Sequence, residues 1–232
     1  MLKTTAKEAK NNFPDRYILC YDNIVNLCIT EGLYKEVNCF LNFIFDVGNV
    51  LVDYMPLIYL RGLFNDESFA QKMYESIFKS PEWLMMDEGL LTHVEATERF
   101  IAREPEFESE ICQVMERVNE MFIPKLETIE LLPRLKGLGH GVYYLSNIHY
   151  EIRDFLLENH DYFGLFDGGV FSCDINKVKP SPEIYRHLIR KYDLIPKDCV
   201  FFDDMEENVA AADREGIKGV LFTTADCVLG FI

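Results

Sequence analysis

Hydrophobic and polar positions change rhythm at about residues 41, 55 and 125, and each change marks a different kind of element. The apolar run Asn42-Phe-Ile-Phe45 stops abruptly at Asp46 and Gly48. Four residues rich in Phe and Ile, closed by an acid and then a glycine, predict a buried strand that delivers a carboxylate to its carboxyl end. From 55 to 124 apolar residues recur at helical spacing, as in 65–78 and 91–101, with little β-branched alternation. Ser80-Pro81 within this block predicts an N-cap followed by proline at the first helical position. An all-helical block that follows the first strand of a sheet predicts a cap. After Pro124 helix and strand alternate. Helices are expected at 128–136, with Pro133 early in it, at 150–159, at 181–191 with Ser181 as N-cap, and at 206–215, closed by Gly216. Strands are expected at 142–145, 169–172, 198–202 and 219–223. The glycines of Gly137-Leu-Gly-His-Gly141 lead from helix to strand, the reverse of a dinucleotide-binding loop, and predict a tight turn.

These alternating units with apolar strands predict the α/β class, a Rossmann-like parallel sheet with helices on both faces plus a small all-helical cap domain. Residues 41–54 and 125–232 form the expected core and 55–124 the cap. Residues 1–40 are an N-terminal extension of unknown role, whose apolar positions Ile18, Leu19, Ile24, Val25, Leu27 and Ile29 fit one or two helices packed outside the core.

Composition narrows the partners. Acidic residues number 39 against 23 basic ones in 232, a formal charge of −16. Nucleic acid and anionic membranes need a positive field, so neither is expected as a partner. A small anionic substrate remains compatible, held by a metal and a few local cations. Seven cysteines without a C-x-x-C pair read as reduced thiols, and no signal-peptide core or membrane-length apolar run is present. A cytoplasmic protein is the expectation, with monomer and homodimer both open.

Chemistry-bearing residues fall at four strand ends: Asp46, Ser146 with Asn147, Lys179 after a strand and loop, and Asp203-Asp204. In a parallel sheet these share one edge, where ligands bind. Asp46 and Asp204 suit a hard divalent cation such as magnesium, which takes oxygen ligands, and a lysine with a hydroxyl or amide completes a phosphate cradle.

Asp46-Val-Gly-Asn-Val, Leu145-Ser-Asn147, Lys179-Pro180 and Phe201-Phe-Asp-Asp204 resemble, in this order, the four motifs of the haloacid-dehalogenase superfamily, in the branch with a helical cap after the first motif. The Gly-Asn form of the first motif and the Phe-Phe-Asp-Asp ending are similar to the bacterial α-D-glucose-1-phosphate phosphatase group. The resemblance covers about residues 41–225 and implies a magnesium-dependent phosphatase acting on a small phosphorylated metabolite, sugar phosphates included. It implies Asp46 as nucleophile and metal ligand, the Gly48 carbonyl and Asp204 as further ligands, and Asp203 as a direct or outer partner of the metal. Ser146 and Asn147 would bind the phosphoryl oxygens, and Lys179 would balance their charge.

One position departs from the superfamily's phosphatases: Gly48 stands where they carry a second Asp, the general acid and base. Asn49, Asp53, Asp87 and Glu88 are the candidate replacements. Trp83, Asp87 and Glu88 are candidate substrate contacts in the cap, and His149 is a further pocket candidate. Two other readings stay open, a metal-independent 2-haloacid dehalogenase and a catalytically degenerate binding protein.

Overall fold

A computed structural model describes residues 40–232 and, before them, the backbone of three short strands. Those strands, β1 (Tyr17–Ile18), β2 (Asn26–Thr30) and β3 (Leu33–Val37), pair antiparallel in the order β1-β2-β3. They replace the helices expected there: Leu27 and Ile29 alternate with Asn26, Cys28 and Thr30, which is the two-residue period of a strand. Leu19, Ile24 and Val25 lie outside the described residues.

The core begins with β4 (Asn42–Phe45), all four residues buried. The chain then leaves for the cap: α1 (Pro56–Leu63), α2 (Glu67–Met73) continued by a π-helical turn over Tyr74–Phe78, α3 (Pro81–Asp87), α4 (His93–Arg103) and α5 (Glu108–Glu116). Their starts are set by sequence. Asp66, Ser80 and Thr92 accept the backbone N–H three residues on, and Thr92 with Glu95 forms a full capping box. The chain returns through α6 (Leu126–Ile129), α7 (Leu131–Gly137), β5 (Gly141–Ser146), α8 (Tyr150–Asn159), β6 (Gly168–Phe171), α9 (Pro182–Lys191), β7 (Cys199–Asp203), α10 (Glu206–Arg214), β8 (Lys218–Leu221) and α11 (Asp226–Leu229). Pro133 sits in the first turn of α7, and Gly139 and Gly216 take the positive φ that ends their helices. Ser181 occupies the N-cap position of α9, but its hydroxyl donates to Glu183 rather than accepting from the backbone.

Five strands form one parallel sheet in the order β6-β5-β4-β7-β8. Alternation divides the core in two. Phe43, Phe45, Val200 and Phe202 enter the larger cluster on one face, which runs on into the cap through Trp83, Met86 and Phe100. Ile44, Leu145, Phe201, Tyr185 and Leu188 pack on the other face. The ends of β4, β5 and β7 therefore carry Asp46, Ser146 and Asp203-Asp204 to one edge.

Core and cap are joined by two linkers that pair with each other. Asp53 N–H donates to the Ile123 carbonyl and Lys125 N–H to the Leu51 carbonyl, both at 2.8 Å. On the opposite side of the cap, Gly89 takes φ +68° so close to the core that an added Cβ would lie 2.4 Å from the Cys173 carbonyl oxygen. Ser172 Oγ donates to the Asp87 carbonyl and Asn176 Nδ2 to the Glu88 carbonyl, which fixes the end of α3 on the core.

Candidate active site

Asp46 continues the ladder beyond β4, its N–H donating to the Phe202 carbonyl at 2.9 Å. Its carboxylate accepts from the Val47 N–H at 2.7 Å and lies 2.7 Å from Lys179 Nζ. The same ammonium donates at 2.7 Å to Asp203 Oδ2. Lys179 is held by its backbone: Asn147 Oδ1 accepts its N–H at 2.7 Å, and Asn147 Nδ2 donates to its carbonyl at 2.9 Å. One amide thus ties the end of β5 to the loop after β6, across 32 residues of sequence.

Asp203 is fully buried and its oxygens are engaged, by Lys179, by the Met205 N–H at 2.8 Å and by Asn208 Nδ2 at 3.0 and 3.1 Å. Asp204 is half-buried and accepts from Asn49 Nδ2 at 2.9 Å. Asn49 stands at φ +57° and accepts the Tyr54 N–H, so the turn after Asp46 is locked onto the end of β7. Ser146, 2% exposed, brings its hydroxyl to the same cavity.

The electrostatics follow from burial. Desolvation pushes the Asp46 carboxyl up; Lys179 opposes and Asp203 adds to this, leaving it near 7. Burial alone would lower Lys179, but the charges and hydrogen bonds of Asp46 and Asp203 outweigh it and hold the ammonium above its ordinary value. Three acids and one lysine leave the site short of positive charge. Carboxylate oxygens of Asp46, Asp203 and Asp204 lie within 4.8 Å of one another. All-oxygen donors at that spacing fit a hard divalent cation, whose charge would also draw Asp46 back toward the ionised form.

A cavity of about 210 Å³ opens over this edge, roofed by the cap through Trp83 and Asp87 and walled by Tyr54, Phe122, Ile148 and Met205. Asp46, Gly48, Asn49, Ser146, Asn147, Lys179, Asp204, His149 and Asn208 also line it. Two acids named from sequence stand elsewhere: Asp53 pairs with Lys125 at 3.3 Å, and Glu88 is not part of the wall. Tyr54, Phe122, Met205 and Asn208 were not singled out by sequence. Asn208, one helical turn beyond Asp204 at the start of α10, had a readable spacing; Tyr54 and Phe122 reach the cavity only because the paired linkers place them there. In a wider cleft on the cap, near Lys72 and Arg103, those two cations are already paired, Lys72 with Glu104 and Arg103 with Glu82.

Comparison with known proteins agrees with this fold. A sesquiterpene phosphatase of Aspergillus oryzae is 29% identical over 180 residues, covering 78% of this chain and 88% of that one. A phosphorylated carbohydrates phosphatase of Thermotoga maritima is 26% identical over 187 residues, covering 76% and 82%. A haloacid-dehalogenase-family enzyme of Bacteroides thetaiotaomicron, solved with magnesium and inorganic phosphate, shares the fold with a TM-score of 0.61 at 23% identity, over 77% of this chain and 92% of that one. The family model described as haloacid dehalogenase-like hydrolase matches residues 41–216, and the chain belongs to that family.

Proposed function

We infer that this hydrolase is a magnesium-dependent phosphatase that passes the phosphoryl group of a small phosphorylated metabolite through Asp46. The observation that carries the reading is the cluster of one lysine and three carboxylates at the sheet edge, with Lys179 Nζ 2.7 Å from both Asp46 and Asp203. A haloacid dehalogenase attacks carbon and has no need of so many acids; a phosphatase must hold a metal beside a dianionic phosphoryl group.

Asp46 attacks phosphorus and forms an aspartyl phosphate, dividing hydrolysis into two displacements. Asp46, Asp204 and the Gly48 carbonyl would hold the metal, which supplies charge to offset the phosphoryl oxygens. Asp203, its oxygens already engaged, acts through Lys179 and Asn208 as their fixed anchor. Lys179 neutralises charge shared by nucleophile and phosphoryl, and Ser146 Oγ donates to a phosphoryl oxygen. Asn147, occupied by the Lys179 backbone, positions the lysine and turns any remaining donor capacity to the phosphoryl group.

The small cavity admits a phosphoryl group and a compact leaving group. Sugar phosphates suit that size. The relatives named above are a sesquiterpene phosphatase and a phosphorylated carbohydrates phosphatase, and the aromatic wall of Tyr54, Trp83 and Phe122 suits an apolar or ring-shaped leaving group. The test is phosphate release from sugar, isoprenoid and flavin monophosphates, with magnesium and with EDTA. Magnesium-dependent release is expected. Turnover of a 2-haloacid that resists EDTA, with no phosphate released, would replace this reading with the dehalogenase one.

A further inference from the structure

Gly48 leaves the phosphatase proposed above without a proton donor for its leaving group, and the structure shows both why that position is free and what stands opposite it. A Cβ built on Gly48 would meet the Tyr54 side chain only at 3.6 Å, an ordinary contact, so packing does not forbid a side chain there. The acid has not been squeezed out; the site manages without it.

In-line phosphoryl transfer sets where a substitute must be. The nucleophile enters on one face of phosphorus and the leaving oxygen departs from the other, roughly in line. Asp46 rises from the sheet edge, so the leaving oxygen points away from the sheet, toward the cap. Among the carboxyls of the described residues that line the cavity, Asp46 and Asp204 belong to the sheet edge and Asp87 alone comes from the cap. Asp87 ends α3, with its carbonyl held by Ser172 Oγ and the next residue's by Asn176, so its backbone is fixed on the core in the closed cap. Its carboxyl is half-buried and has no hydrogen-bond partner among the described residues.

We propose that Asp87 is the general acid and base of this enzyme, supplied by the cap in place of the residue missing at Gly48. In the first step the bond from Asp46 Oδ to phosphorus forms, the bond from phosphorus to the ester oxygen breaks, and the Asp87 proton moves to that oxygen, which leaves as an alcohol. In the second step water attacks phosphorus from the side the alcohol vacated, gives its proton to the Asp87 carboxylate, and the bond to Asp46 breaks. Phosphate is released and both acids return to their starting states.

The surroundings suit the role. Desolvation raises the Asp87 carboxyl to about 8, so it keeps its proton at neutral pH. The groups that face it offer no better donor. Burial drives the Tyr54 phenol well above its usual value, with the Asp87 charge adding to this. His149 is held neutral, pulled down to about 3 by burial and then by His93. Burial likewise pushes the Cys173 thiol up to about 12. Lys179 is committed to Asp46 and Asp203.

The test is single-turnover release of the leaving group from p-nitrophenyl phosphate and from an alkyl phosphate, with magnesium, in wild type and Asp87→Asn. Asparagine matches the neutral acid in shape, and circular dichroism checks that the variant is folded. The alkyl ester, which needs the proton, should slow by about 10²–10⁴-fold, while the nitrophenyl ester, whose leaving group does not, should slow far less. The Asp87→Asn enzyme should also accumulate aspartyl phosphate, and Gly48→Asp in that background should restore alkyl turnover. Equal slowing of both esters, or no slowing of either, overturns the assignment of Asp87 and leaves the phosphatase reading intact. A wild-type protein that releases phosphate from neither ester overturns both.

Discussion

Lys179 shows at the scale of one residue how the site is held together. Its ammonium is buried between two carboxylates, and removing one partner of such a group strands charge in a medium that solvates it poorly. Lys179→Met should therefore lower stability at neutral pH by about 3–5 kcal/mol in urea titrations. Much of the loss should return on mild acidification, because Asp46, raised by burial and no longer opposed by Lys179, would titrate higher in the folded than in the unfolded chain, and protonation below that range favours folding. An Asp203→Asn variant should lose turnover without that acid rescue, since Lys179 still pairs with Asp46. The residues at strand ends were legible in sequence because a buried strand that stops at Asp or Ser can present it only at the sheet edge. Asn147 was legible as a site residue, but its two bonds to the Lys179 backbone were not, because they depend on how the loop after β6 returns. Tyr54 and Phe122 gave no sequence signal: an aromatic side chain beside a helical cap reads as core until the linkers place it.

At the scale of elements, the seat of the cap on the core decides whether Asp87 and Trp83 meet the substrate. That seat is close backbone packing at Gly89, where the positive φ and a Cys173 carbonyl oxygen that would lie 2.4 Å from an added Cβ leave no room for a methyl group. Gly89→Ala should cost about 1–2 kcal/mol for the left-handed backbone alone, raise KM, and speed amide exchange through α3, with β4 and β7 unaffected. A capping change at a distance gives the contrast: Thr92→Ala should lower stability by about 0.5–2 kcal/mol through α4, with KM unchanged. Most helices and strands from Asn42 onward were readable because their caps, prolines and apolar periods agree with one another; the break between α6 and α7 and the short α11 carried no such signal. The strands before Asn42 were not, because six apolar residues spread over a short polar segment fit either period.

For the whole molecule, acid stability should carry the mark of the cap-to-core contact. His149, on the core, lies edge-on to Trp83 of the cap at 5.3 Å and faces His93 of the cap at 5.9 Å. Neither of its ring nitrogens has a partner among the described residues. Burial and then His93 hold its folded value near 3 against an ordinary 6.5, and burial lowers His93 too, against the opposing charge of Glu151. Because the unfolded chain binds these protons and the folded one does not, the histidines' contribution to stability should be full above pH 6.5 and be lost as the pH drops toward 3. The slope should be at most about 1.4 kcal/mol per unit for each histidine, and His149→Phe should remove its share of that slope while keeping the aromatic contact. Turnover by the whole molecule hinges on Asp46 carrying the phosphoryl group. The most direct measurement is rapid acid quench of the magnesium-loaded enzyme with a phosphorus-32-labelled ester, followed by peptide mapping. A hydroxylamine-labile label on the peptide containing Asp46, absent in Asp46→Asn, is the predicted result; phosphate release at an undiminished rate in Asp46→Asn, with no labelled peptide in either protein, would contradict it.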